Sequence, residues 1–209
     1  MRTGILFDLD GTLLDTLEDL MDSVNHILVE FGYPQRTKEE VRRFVGNGAR
    51  RLMEQAVPGN GDADAALEAF QSYYRSHCQI KTRPYDNIVT ALNALSREYP
   101  IAIVSNKPDA AVKALCAQYF PGIYARGESL DCPRKPAPDM VHKAMEAIGV
   151  ERCIYVGDSE VDVLTAQNAG VSCLSVLWGF RDRWEMEAVG GCHFCENPGD
   201  LPAAIKEML

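Results

Sequence analysis

Two carboxylates, Asp8 and Asp10, stand one residue apart at the end of the apolar run Ile5-Leu6-Phe7 and are followed by Gly11 and Thr12. At ~4 Å and an effective dielectric of about 20 such charges repel by on the order of 4 kcal/mol, so the pair asks for a compensating cation. Mg²⁺ reverses the sign of that cost, since it accepts one or two carboxylates and leaves positions for water and phosphate oxygens. The plain alternative is an ordinary strand end and turn. A second is the acidic strand of a P-loop NTPase, but no G-x-x-x-x-G-K-[ST] occurs in the chain.

Three more groups follow later apolar runs. Ser105 and Asn106 come after 101–104, a hydroxyl and an amide suited to phosphate oxygens. Lys135 sits among prolines, in Lys135-Pro136-Ala137-Pro138, after the run 123–125. Asp158 and Asp162 follow the run 153–156, in Gly157-Asp158-Ser159-Glu160-Val161-Asp162. Singly each is bland: Ser-Asn serves turns and helix caps, and a lysine in a loop is normally solvated. Taken together, acids, a neutral donor pair, a cation and acids again follow successive strands. In an open parallel sheet those strand ends converge on one edge, where ligands bind.

The elements that must hold them follow from periodicity. The first apolar run is too short for a core helix and suits a strand buried on both faces. After Thr12 the spacing becomes helical through Leu17, Leu20, Val24, Ile27, Leu28 and Phe31, ending at Gly32 and Pro34. Shorter helices are predicted around Val41 and Phe44, around Leu52 and Met53, and through Leu67, Phe70, Tyr73 and Tyr74. No strand is expected between about residues 15 and 81. From Pro84 onward, helices carrying Val89, Val112, Met140 and Val161 alternate with strands at 101–104, 123–125, 153–156 and 173–177, and 202–209 reads as a closing helix. Such alternation implies right-handed crossovers and a parallel sheet. The predicted fold is therefore α/β: a doubly wound, Rossmann-like core of residues 1–14 and 82–209, with a small helical cap of residues 15–81 inserted after the first strand.

Composition sets the outer limits. The 209 residues suffice for one core domain and a small appendage, and the 46% hydrophobic and 24% charged contents are ordinary for globular proteins. A formal net charge of −9 without any basic run argues against nucleic acid or an anionic membrane as partner. Seven scattered cysteines read as reduced thiols, with Cys192 and Cys195 the one pair at metal spacing and no second pair to complete a zinc site. With only Arg2 before the first strand and no long apolar run, a secretion signal or membrane span is not expected, and the predicted location is cytoplasmic.

Asp8-x-Asp10-Gly11-Thr12, the hydroxyl of Ser105, Lys135 and Gly157-Asp158-x-x-x-Asp162 resemble the four motifs of the haloacid dehalogenase-like phosphohydrolases, and the likeness spans nearly the whole chain. Within that family, Val45-Gly46-Asn47-Gly48-Ala49 and Trp178-Gly179-Phe180-Arg181 are similar to phosphoglycolate phosphatases. The resemblance implies a Mg²⁺-dependent phosphatase of small phosphorylated metabolites, phosphoglycolate first among them, that works through an aspartyl phosphate. Asp8 is then the nucleophile, Asp10 the acid and base, and Lys135 the stabilising cation. Ser105, Asn106 and Thr12 would serve the phosphate, and Asn47, Gly48 and Arg50 of the cap the rest of the substrate, with Arg51 an alternative to Arg50. Mg²⁺ would be held by Asp8, the Asp10 carbonyl and Asp158, with Asp162 orienting from behind. A sugar-phosphate mutase, pyrophosphatase or nucleotidase of the same family is the enzymatic alternative, and a phospho-aspartate signalling module the non-enzymatic one. The partner is a small phosphate ester, and the chain acts as a monomer or homodimer.

Overall fold

A computed structural model describes residues 2–209. The first run forms strand β1 (Thr3–Phe7), flanked in parallel by β4 (Ile101–Pro108) on one side and β6 (Arg152–Gly157) on the other. Alternation along β1 serves both faces of the sheet. Ile5 and Phe7 pack with Ile103, Ile154 and Val156, while Leu6 packs with Ala102, Val104 and Tyr155. With β5 (Tyr124–Glu128), β7 (Ser172–Val176) and β8 (Phe194–Cys195) the sheet has the order β5-β4-β1-β6-β7-β8, all pairs parallel. The chain winds from β1 through β4 to β5 in one direction, then returns beside β1 and winds through β6 and β7 in the other. The reversal opens a crevice beyond the carboxyl ends of β1 and β6, the place a ligand occupies in such sheets.

Between short paired strands β2 (Leu14–Asp15) and β3 (Arg83–Pro84) lie four helices. They are α1 (Leu17–Glu30), α2 (Lys38–Phe44), α3 (Gly48–Ala56) and α4 (Ala63–His77). Their apolar stripes, including Val24 and Ile27, Val41, Met53 and Phe70, close on one another as a core separate from those of the sheet. Thr37 and Glu40 cap α2 reciprocally, fixing where it starts. The remaining helices, α5 (Ile88–Leu95), α6 (Asp109–Tyr119), α7 (Asp139–Ala147), α8 (Glu160–Ala169), α9 (Arg183–Glu187) and α10 (Leu201–Glu207), accompany the sheet.

Several sequence expectations need adjustment. β5 begins at Tyr124 and runs on to Glu128, later than the predicted 123–125, because Gly127 packs against the backbone of Lys107 and Asp109. β4 continues past 104 with a shifted register, carrying Ser105 and Asn106 inside the strand. In α5 it is Ile88, not Val89, that faces the core, and Val89 is exposed. Helix α9 and strands β2, β3 and β8 are too short to leave a periodic trace. Cys195 is buried in β8 while Cys192 is exposed. Among the described residues no helix is long and apolar enough to cross a membrane.

Candidate active site

The chain leaves β1 at Asp8, turns through Gly11 and enters the helical segment, so the crevice lies under α1, α3 and α4. Gly11 has a φ of +84°, and a Cβ there would collide with the Asp158 carboxylate and Phe180, so no other residue fits this turn. From the sheet side Asp8, Asp10, Ser105, Lys107, Lys135 and Asp158 line the cleft. From the helical side come Leu20, Gly46, Gly48, Leu52 and Tyr74.

Lys135 is the junction. Its buried ammonium donates to Asp8 Oδ1 at 2.7 Å, Asp162 Oδ1 at 2.7 Å and the Tyr155 hydroxyl at 3.0 Å, which uses all three of its hydrogens. Asp162 is equally committed: its other oxygen accepts from the Asp158 amide, and from the amide and hydroxyl of Ser159 at the start of α8. Asp8, Asp158 and Asp162 each offer an oxygen within 4.8 Å of the others, an all-oxygen donor set that suits a hard cation. Because the lone pairs of Asp162 are spent on Lys135, the Tyr155 hydroxyl and the Asp158 and Ser159 groups just before α8, Asp8 and Asp158 are the two with capacity for one.

Charge at this depth is costly. Burial pushes the Asp8 carboxyl well above its ordinary value against the pull of Lys135. Burial and the charge of Asp162 push Asp158 up to about 7, against the hydrogen bonds it accepts from the Phe180 amide and Thr12. Burial pulls the Lys135 ammonium down, but Asp162 and Asp8 outweigh it and hold the group well above the lysine norm.

The remaining predicted residues divide into those the structure brings to the cleft and those it does not. Ser105 is buried in it and accepts from the Lys107 amide at 3.2 Å. Asn106 also lines it but spends its side chain on scaffolding. Its amide donates to the carbonyls of Gly46 and Lys135, and its oxygen accepts from the Lys135 amide at 2.8 Å, clamping the lysine segment to β4 and the helical unit. Thr12 is turned away from any phosphate: its hydroxyl donates to Asp158 Oδ1 at 3.0 Å and its carbonyl accepts from Trp178 Nε1. Gly48 borders the cleft, whereas Asn47 sits at the N-terminus of α3 with its carbonyl accepting from Arg134. Arg50 is not brought to the cleft. It is exposed, pairs with Asp64 at 2.6 Å and lines a separate shallow surface, because its place on α3 points outward while Leu52 and Met53 point in. Arg51 likewise pairs with exposed Glu54.

The sequence assigns no role to Lys107, Tyr74 or Arg181, and the structure gives each one. Lys107 Nζ donates to Asp10 Oδ1 at 2.8 Å and to the Tyr74 hydroxyl of α4 at 2.7 Å. Its signal was its place directly after Ser105-Asn106, while Tyr74 was hidden among the apolar positions of α4. Arg181, after β7, is buried, and its guanidinium donates to the carbonyls of Arg42, Arg43 and Val45 and to Glu160. Those carbonyls are the orphan acceptors at the end of α2, so one core side chain ties down the end of a helix in the inserted unit.

The sequence profile of the family described as haloacid dehalogenase-like hydrolase matches residues 5–176. Phosphoglycolate phosphatase 1 of Pseudomonas aeruginosa is 36% identical over 193 residues, covering 85% of this chain and 70% of that protein. The phosphoglycolate phosphatase of Aquifex aeolicus is 32% identical over 184 residues, covering 84% of this chain and 85% of that one. A crystal structure from Lactobacillus delbrueckii subsp. bulgaricus superposes with a TM-score of 0.91 at 33% identity, covering 97% of each chain.

Proposed function

The chain belongs to the haloacid dehalogenase-like hydrolases, and on that premise we propose that it is a Mg²⁺-dependent phosphatase that hydrolyses phosphoglycolate through a phosphorylated Asp8. The observation that carries the reading is the Asp8–Lys135–Asp162 bridge beside Asp158 at the switch point of the sheet. The identity to phosphoglycolate phosphatases over most of the chain supports the substrate.

In this reading residues 15–81 form a cap over a core of residues 1–14 and 82–209. Asp8, the Asp10 carbonyl and Asp158 would hold Mg²⁺, which when bound neutralises charge on the carboxylates and the phosphoryl group. Thr12 and the Phe180 amide, both bonded to Asp158, fix the orientation of that ligand. An Asp8 oxygen forms a bond to phosphorus as the bond to the leaving oxygen breaks, and Asp10 hands its proton to that oxygen. Water then attacks the acyl phosphate, gives its proton to Asp10 and releases Asp8 and inorganic phosphate. Lys135, through its charge beside Asp8, and the Ser105 hydroxyl would stabilise the charge that builds on the transferring group, where most catalysis of phosphoryl transfer lies.

The test is phosphate release from a panel of small phosphate esters. Phosphoglycolate is expected to lead in kcat/KM, and EDTA to remove the activity until Mg²⁺ is restored. A different leading ester, or full activity in EDTA, overturns the reading.

The buried acids add a second expectation. Folding raises Asp158 from its ordinary carboxylate value to about 7, so the folded protein binds the extra proton and its stability falls as pH rises through about 4 to 7. A bound divalent cation requires the ionised form, and below about 7 it must displace that proton. The gain in Tm produced by Mg²⁺ is therefore expected to be larger at pH 8 than at pH 5.5. Equal gains at both would show that Asp158 does not ligate the ion.

A further inference from the structure

In a phosphate ester of a 2-hydroxyacid the carboxylate carbon is two bonds from the ester oxygen, the atom that Asp10 would protonate. Whatever binds that carboxylate must therefore sit beside Asp10. Arg50 and Arg51 are ruled out by their outward position. Lys135 has no hydrogen left, and Arg181 spends four of its five N–H groups on the end of α2 and Glu160, with none on Asp10.

Lys107 is different. Its ammonium lines the cleft, lies 2.8 Å from Asp10 Oδ1, and is steadied by the Tyr74 hydroxyl at 2.7 Å. Among the described residues these are its two hydrogen-bond partners, one fewer than an ammonium can serve. The cleft it lines is apolar on the helical side, through Leu20, Leu52 and Phe70, so an anion that enters beside Asp10 finds its countercharge in Lys107. We propose that Lys107, held between Asp10 and Tyr74, binds the carboxylate of the leaving group and so selects phosphate esters of short 2-hydroxyacids. This deepens the phosphatase reading and rests on it. It also gives Tyr74 a purpose: a lid residue that touches the selecting cation makes recognition depend on the lid being seated.

The experiment compares phosphoglycolate with 2-hydroxyethyl phosphate, in which a hydroxymethyl group replaces the carboxylate and the leaving group is a similarly basic alkoxide. In the wild type, phosphoglycolate is expected to be favoured by about 100-fold or more in kcat/KM, the size of a charge-assisted bond of roughly 3 kcal/mol. Lys107→Met is expected to bring that ratio within about threefold, through a raised KM for phosphoglycolate, while any loss through Asp10 falls on both substrates alike. Tyr74→Phe removes one support of Lys107 without removing a charge, and is expected to lower the ratio several-fold in a protein that folds even where Lys107→Met does not. Loss of activity on both esters in equal proportion, in either variant, overturns the assignment and leaves the phosphatase reading standing. A wild type that hydrolyses both esters equally overturns the substrate and this inference together.

Discussion

Asp8→Asn is expected to fold normally and to release no measurable phosphate from any ester, a loss on the order of 10⁴-fold or more in kcat, as the nucleophile role proposed for Asp8 requires. The exchange keeps the shape of the side chain, so Lys135 still has Asp162 and Tyr155 as partners and no cavity opens. It also removes a charge that burial disfavours, Asp8 being 7% exposed with its carboxyl held well above the usual range. Tm should stay within a few degrees of the wild type or rise, most visibly in EDTA. Separating activity from stability is the point of the variant. Hydrolysis within tenfold of wild type would mean that the bond to phosphorus forms elsewhere, and the mechanism would fail with it.

How much of this was visible in the sequence depends on whether a residue's role is local or long-range. Asp8, Lys135 and Asp158 were legible because each follows a strand, and parallel strands carry their C-terminal ends to one edge whatever the loops do. The helical insertion was legible because α1 and α4 are long enough to show their period. Roles settled by contacts far along the chain were not. Thr12 looks like a phosphate ligand beside Asp10 in sequence, but packs on Asp158, 146 positions away. Asn106 looks like a donor to substrate until the folded chain shows its amide clamping the segment that carries Lys135. Arg50 failed for a simpler reason. A helix of nine residues presents most of its surface to solvent, and a charged residue on α3 defaults to the wet face with a partner such as Asp64.

Arg181 shows the same limit from the other side. Trp178-Gly179-Phe180-Arg181 looked like a family signature near the end of the chain, with no role attached to any one residue. In the structure each part has one. Trp178 bonds the Thr12 carbonyl, a Cβ at Gly179 would collide with Asp158, the Phe180 amide bonds that carboxylate, and Arg181 secures α2. A single loop thus sets the orientation of a carboxylate in the site and the seating of the unit above it, which couples the two without any moving part between them.

Lys135→Met is expected to be the most disruptive conservative change in the site, because among the described residues the lysine is the cation paired with both Asp8 and Asp162 in a buried group. Replacing it leaves two carboxylates facing each other without their shared countercharge. Asp162 keeps its bonds from Ser159 and the Asp158 amide, so Asp8 bears most of the loss. Breaking a buried pair in this way costs about 3–5 kcal/mol, which for a chain of this length lowers Tm by roughly 10 °C. In the proposed mechanism the Lys135 charge stands beside Asp8 where phosphoryl transfer occurs, so its loss should lower kcat by about 10³-fold even in the fraction that folds. Adding Mg²⁺ is expected to recover part of the stability, since the ion supplies positive charge to Asp8, and little of the rate, since it does not occupy the position of the ammonium. The pattern is read by thermal unfolding with and without Mg²⁺ beside single-substrate kinetics. A Tm unchanged in EDTA would show that the bridge is not a structural element, and a kcat within tenfold would show that phosphoryl transfer proceeds without it.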